Sequence, residues 1–209
     1  MPVLRGSVTF ARFRLASGKP PADARRFARA LARGAFEPLD LERGEDDRAT
    51  GFVRLDDADA IDFSSGVLER GRALFAWRVD ALLIKAAAVR AELGRWAAAF
   101  EREHGRLPAR GEKATAKDQI RHQLRRRAEP SSRTSDVSWN LERGELQIWA
   151  ASRKTVEECA AAIEAAFELK LEPASVSAQA VRRDIPEAAL APTAELMGLA
   201  AEEVGRGQA

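Results

Sequence analysis

The stretch from Val137 to Ala150 constrains the fold more than any other part of the sequence. Val137, Trp139 and Leu141 alternate with polar residues, Glu142-Arg143-Gly144 interrupts them, and Leu146, Ile148 and Ala150 alternate again. A period of two puts each apolar set on one face of a strand, and a short glycine-containing loop between two such runs marks a β-hairpin. The following segment changes period. Ser152 or Thr155 caps a helix whose apolar face is Val156, Ala160, Ile163 and Phe167, and Thr155 with Glu158 fits a capping box. A hairpin followed by an amphipathic helix points to helices packed on antiparallel sheet.

The rest of the chain is read in the same way. Ser7–Leu15 alternates as a strand with both faces partly covered, and Pro20-Pro21 ends it. A helix follows with Asp23 in its first turn, Phe27 and Leu31 on one face, and Gly34 as its stop. Leu39–Asp47 and Asp56–Asp62 read as exposed acidic loops on either side of a short strand, Gly51–Leu55. Ala73–Val79 is a further strand. From about Leu82 the period moves to near 3.6, with Val89, Leu93, Trp96 and Phe100 on one face of a long helix ending near Gly105. Thr115-Ala-Lys-Asp118 has the pattern of a capping box for a second helix, with Ile120 and Leu124 as its apolar face and Pro130 as its close. Ser131–Ser135 reads as a polar loop. Leu169–Val176 is a final strand that Pro173 assigns to an edge.

The expected fold class is therefore α+β. Mainly antiparallel sheet portions, β-α-β-β over 1–80 and β-β-α-β over 131–177, are joined and covered by two central helices over 81–130. Residues 178–209 form a loosely attached tail with one short helix near Thr193–Val204.

The net charge of the 209 residues is only +2, but it is unevenly placed. Between Arg106 and Arg133 stand nine cations, Arg106, Arg110, Lys113, Lys117, Arg121, Arg125, Arg126, Arg127 and Arg133, against three acids. That segment carries +6, which leaves −4 for the remainder. Phosphate binding responds to local charge density, so these nine are the candidate DNA contacts. Lys117, Arg121 and Arg125 follow at i, i+4 and i+8, a stripe roughly 12 Å long at about 1.5 Å per residue. Ile120 and Leu124 sit beside it, so the apolar face docks while the stripe is expected to face outward. The same pattern also fits a solvated helix face in an arginine-rich chain.

No familiar catalytic or metal motif is present. His104 and His122 lie 18 residues apart, without ligand spacing. Cys159 falls among alanines and reads as a small buried apolar residue with no histidine partner. Asp56, Asp57, Asp59 and Asp62 lack EF-hand spacing. No P-loop, G-x-G-x-x-G or G-x-S-x-G occurs, and the acids are scattered rather than convergent as a metal-dependent nuclease needs. Neither an enzyme nor a cofactor is expected. Trp77, Trp96, Trp139 and Trp149 all fall in periodic elements and read as core, although an exposed one on the hairpin would stack on a base. The single cysteine, the N-terminus without an apolar run, and apolar stretches too short to span a bilayer lead to the expectation of a soluble, cytoplasmic protein that contacts no membrane.

The order of these elements, with Ala76-Trp-Arg78 ending a strand, the long helix to Phe100, Lys117-Asp-Gln-Ile-Arg-His-Gln-Leu124, Trp139 in the hairpin, Leu146-Gln-Ile-Trp-Ala-Ala-Ser152 and the helix Lys154–Phe167, resembles the recombination-associated RdgC family of bacteria. The resemblance spans about four-fifths of the chain. It implies a nucleoid-associated protein that binds DNA, double-stranded above all, without strong sequence preference. It also implies that such a protein acts in recombination or replication, forms a ring-shaped homodimer and restrains the recombinase filament. Family names sometimes include "exonuclease", but no residues here support that chemistry. Relatives extend further at the C-terminus, in a region that helps close the ring, so this sequence reads as a short form in which contact with DNA is better founded than encirclement. Relatives also carry an aromatic residue just after the basic helix, at a finger contacting partner or DNA. Arg127-Ala-Glu-Pro-Ser-Ser-Arg133 has none, and a counterpart here would be polar. The alternative is a protein–protein module on the same scaffold, binding a recombination protein or its own copy without DNA.

Overall fold

A computed structural model describes residues 9–42, 46–174, 180, 183–186 and 189. Seven strands form one antiparallel sheet, β1 (Ala11–Ser17), β2 (Arg48–Val53), β3 (Leu68–Glu69), β4 (Arg72–Ala81), β5 (Ser131–Asn140), β6 (Glu145–Trp149) and β7 (Lys170–Pro173). Their order is β2-β4-β5-β6-β1-β7, with β3 paired to one end of β4. Four named helices accompany them among the described residues: α1 (Ala24–Ala32), α2 (Ala86–His104), α3 (Arg110–Arg127) and α4 (Arg153–Phe167). The α+β class and the antiparallel pairing are as the sequence indicates. The two sheet portions are continuous, because β4 pairs with β5 over ten residues, from Arg72 opposite Asn140 to Ala81 opposite Ser131.

The hairpin β5–β6 closes as its alternation requires, with Val137 opposite Ile148 and Trp139 opposite Leu146, all four fully buried. Helices α1 and α4 cover this face. Phe27 of α1 is the hub, with ring centroids 5.9 Å from Trp139, 6.4 Å from Phe75 and 4.7 Å from Phe167 of α4. Phe52 extends the cluster through Phe75 and Trp77 at 5.6 and 5.1 Å. Local capping fits these helices to their places. The Asp23 carboxylate accepts the Arg26 N–H at 2.9 Å, and the Ser152 hydroxyl accepts the Thr155 N–H at 3.3 Å. Cys159 is fully buried on α4, and that burial pushes its thiol pKa upward.

Several boundaries differ from expectation. Ser131–Ser135 is not a loop but the first half of β5. There the strand's side chains are polar and largely exposed, so no alternation marks it, and the backbone ladder to β4 holds it. The two central helices do not cover the sheet. They pack on each other as an antiparallel pair, no residue of α2 is fully buried, and neither packs along a strand. The stripe Val89, Leu93, Trp96 and Phe100 is accordingly half-buried, and the pair stands off the sheet as an arm. Strand β7 is an edge strand ending at Pro173, as expected. The expected tail helix Thr193–Val204 lies outside the described residues.

Gly51 sits where the segment after α1 crosses the outer edge of β2 in a parallel bridge between Ala35 and Phe52. A Cβ there would lie 2.3 Å from the Phe36 Cα and 2.5 Å from the Phe36 nitrogen, both backbone atoms that cannot swing away. Gly51→Ala should lower the unfolding free energy by about 1–3 kcal/mol through overpacking, read as a lower urea midpoint at unchanged slope. An unchanged midpoint would show that this crossing is loose.

Candidate nucleic-acid interface

The arm's place follows from the register of β4 and β5. Ala81 lies opposite Ser131, so the intervening chain must leave and re-enter the sheet at one point. Two antiparallel helices of 19 and 18 residues do this, each about 28 Å long at roughly 1.5 Å per residue. Gly105, in left-handed conformation at φ 65°, ends α2 and begins the tip. Helix α3 starts at Arg110, with Ala109 as its N-cap, six residues before the Thr115 pattern indicates. Its first turn is held by Glu112, whose carboxylate reaches back to the Ala109 N–H at 2.7 Å and takes both Arg106 amino groups at 2.8 and 2.9 Å. Thr115 instead turns its hydroxyl back onto the Gly111 carbonyl at 3.2 Å, inside the helix. Hydrogen bonds from Arg106 and from the Ala109 N–H hold the Glu112 carboxyl down to about 2. Arg106 also lies over the Phe100 ring at 4.9 Å, and His104 stacks on that ring at 4.1 Å, so the tip is a compact aromatic and ionic turn.

The base of the arm meets the first acidic loop. Strand β2 runs antiparallel to β4, so its start lies beside the end of β4, and the Asp47 carbonyl accepts the Leu82 N–H at 2.8 Å. Asp47 therefore stands where α3 returns. Its carboxylate bridges Arg125 and Arg121, the latter at 2.9 Å. Arg125 also donates to the Asp46 and Asp40 carbonyls, and its side chain is only 6% exposed. Glu42 of the same loop reaches Arg126 at 3.6 Å.

This arrangement corrects the outward stripe. Lys117 and Arg121 are exposed, but Arg125 is a buried anchor between the acidic loop and the end of α3. The outward row runs from the other end of the helix, through Arg110, Lys113, Lys117 and Arg121 at intervals of three and four residues, and covers about 16 Å at roughly 1.5 Å per residue. Ala116 and Ile120 are buried beside it and Leu124 is half-buried, as the apolar face requires. Of the nine cations, Arg106, Arg121, Arg125 and Arg126 have carboxylate partners. Arg110, Lys113, Lys117, Arg127 and Arg133 have none among the described residues. Arg133 sits apart from the row, on β5 opposite Val79. The segment Arg127–Arg133 lies at the arm's base, whereas Leu107, 67% exposed, is at its tip.

The second acidic loop is tied down by arginines. Arg54 grips Asp56 with two hydrogen bonds of 2.8 and 2.9 Å, and Arg78 grips Asp80 at the same two distances while also reaching Asp59 and the Ala58 carbonyl. Among the described residues no three His, Cys, Asp or Glu side chains converge as metal ligands, and no helix is long and apolar enough to cross a membrane.

Two outcomes follow. Asp47→Ala should destabilise the protein by about 2–3 kcal/mol because it strands a buried guanidinium, whereas Arg125→Met should cost less; urea unfolding of both variants checks the order. Glu112 should titrate near 2 by side-chain NMR. Its depressed value means that the tip's stabilisation is present above the ordinary carboxylate range and is lost as pH falls toward 2. A normal titration would mean that the Arg106–Glu112 grip is absent in solution.

Residues 10–183 match the family model RdgC, described as "Putative exonuclease, RdgC". No curated protein matches the sequence.

Proposed function

The chain belongs to the RdgC family, and from that premise we propose that it is a non-enzymatic, largely sequence-independent DNA-binding protein of recombination or replication, whose arm supplies phosphate contacts. One observation carries the reading: an exposed row of cations, Arg110, Lys113 and Lys117, that no carboxylate of the described residues neutralises, on a helix standing off the sheet. Arg121, shared with Asp47, extends the row, and Arg127 and Arg133 add charge near the arm's base. A helix face of this kind tracks backbone phosphates and carries no base readout, which fits binding without sequence preference. Double-stranded DNA is the proposed partner, at the nucleoid of the cytoplasm. A second copy of the chain and a recombinase filament are proposed as protein partners.

The half-buried stripe of α2, with Leu83 and Leu107 exposed at either end of that helix, favours a second reading in which the arm binds protein, its own copy included. Sedimentation with and without DNA separates the two. A dimer that binds no duplex would support the second reading alone.

Replacing Arg110, Lys113 and Lys117 together by Ala should reduce the slope of log affinity against log salt by about two to three units on duplex DNA, at about 0.9 per phosphate contact. The thermal midpoint should hold, since all three side chains are exposed. An unchanged slope would sink this row as the phosphate contact. The family description's exonuclease is tested directly: end-labelled duplex with Mg²⁺ or Mn²⁺ should stay intact, and shortened products would overturn the non-enzymatic half of the proposal.

A further inference from the structure

Helices α1 and α4 cover one face of the sheet. On the other face the register assembles a different surface, row by row. Arg12 is opposite Gln147, Gln147 opposite Ser138, and Ser138 opposite Leu74. One row along, Arg14 is opposite Glu145, Glu145 opposite Asn140, and Asn140 opposite Arg72. In the other direction Phe10 packs against Trp149, with ring centroids 4.8 Å apart and planes tilted by 36°. Phe10 is 39% exposed, Leu74 is exposed, and Trp149 is half-buried.

Three features set this patch apart from an ordinary solvated sheet face. First, the aromatic pair is held in position. The Trp149 indole N–H donates to the Ser138 hydroxyl at 3.2 Å, and that hydroxyl lies 3.2 Å from the Gln147 carbonyl oxygen. The Gln147 amide NH₂ has no partner among the described residues and is left to donate outward. Second, a groove of about 250 Å³ adjoins the pair through Ser138 and Gln147, and Arg72, Leu74, Asn140, Arg143 and Glu145 also line it. Third, the charges around the patch are mainly positive, with Arg72 and Arg143 lining the groove and Arg12 6.0 Å from the Phe10 ring. Arg12, Arg72 and Arg143 have no carboxylate partner among the described residues, while Glu145 is occupied by Arg14 at 3.1 Å. Two further acids share this face, Glu172 opposite Arg14 and Asp136 beside Trp149, and burial shifts the Asp136 carboxyl toward the protonated form.

We infer that this open sheet face is a second nucleic-acid site, one for single strands, in which an unpaired base stacks on Phe10 and Trp149 and the flanking phosphates lie on Arg12, Arg72 and Arg143. Aromatic side chains on an open sheet, rimmed by arginine and with amide groups left to hydrogen-bond, suit unstacked bases. A duplex hides those faces in its own stack, so it is the cations of the arm that suit duplex phosphates. The inference rests on the DNA-binding reading above but assigns a different surface and a different form of the ligand.

The test uses the full chain, a short oligothymidylate, and a blunt duplex measured side by side. Phe10→Ala should weaken binding of the single strand by about tenfold, as loss of one stacked base predicts, with duplex affinity changed by less than about twofold. Trp149→Phe keeps an aromatic face and should retain single-strand binding. An oligothymidylate carrying 5-iododeoxyuridine should photo-crosslink to Phe10 or Trp149. Single-strand binding unaffected by Phe10→Ala, or crosslinks confined to α3, would overturn this site while leaving the arm's duplex binding standing. Absence of binding to either ligand would overturn both readings. The arm variant Arg110, Lys113 and Lys117→Ala should show the opposite preference, losing duplex before single strand.

Discussion

The ten-residue pairing of β4 with β5 is the constraint from which the rest of the structure follows. It makes one sheet of strands from the two ends of the chain. Because Ala81 faces Ser131, everything between them becomes an elaborated hairpin connection, free in length but fixed at both ends. An antiparallel helix pair of nearly equal lengths satisfies that condition and lets each helix cover the other's apolar stripe. The arm therefore needs no contact with the sheet beyond its root. There the antiparallel partner β2 necessarily begins, and it delivers Asp47 to Arg125.

The sheet's two faces are covered in different ways. On one face six aromatic rings, Phe27, Phe52, Phe75, Trp77, Trp139 and Phe167, form a continuous core under α1 and α4. Apolar burial on this scale is the main term opposing chain entropy. The other face is mostly polar or paired, as in Arg14 with Glu145 and Ser138 with Trp149, with Leu74 and Phe10 as its exposed apolar side chains. Near β2 that face is closed locally by Phe36, Val53 and Ala76, and Arg78 lies over the Phe36 ring at 4.3 Å. The surface left between this patch and β1 is the one that carries Phe10, Trp149 and the groove.

What could be read from the sequence depended on whether a side-chain pattern accompanied each backbone contact. The hairpin was legible because Val137, Trp139, Leu146 and Ile148 share one buried face. Ser131–Ser135 was not, since its ladder to β4 is a backbone property and polar side chains leave no period behind. The α2 stripe announced a helix correctly, but an apolar face does not say what will cover it, and α3 rather than the sheet does so. For α3, Thr115-Ala-Lys-Asp118 satisfied a capping pattern that the chain does not use. The working contact, Glu112 to the Ala109 N–H, lacks the capping hydroxyl that normally flags it. Arg125 was beyond reach because its partner Asp47 lies 78 residues away. The only hint was that a block of five acids and a block of nine cations occur in one chain.

That pairing changes what the charge polarisation means. A guanidinium already held by a carboxylate neutralises a phosphate less completely and so releases fewer of the cations condensed on the DNA, which makes its contribution to phosphate binding smaller than a count of arginines suggests. Asp47 and Glu42 spend their charge on Arg121, Arg125 and Arg126, at the root of α3. The first two turns of the helix, with Arg110, Lys113 and Lys117, keep theirs. The positive field is thus displaced toward the arm's outer half, away from the sheet. The acidic loop does two things with the same atoms: it ties down the root of the arm and it neutralises the cations there. A duplex held as proposed, through the remaining row, would meet the arm near its tip, where Leu107 and the Arg106–Glu112 turn present a surface of quite different chemistry.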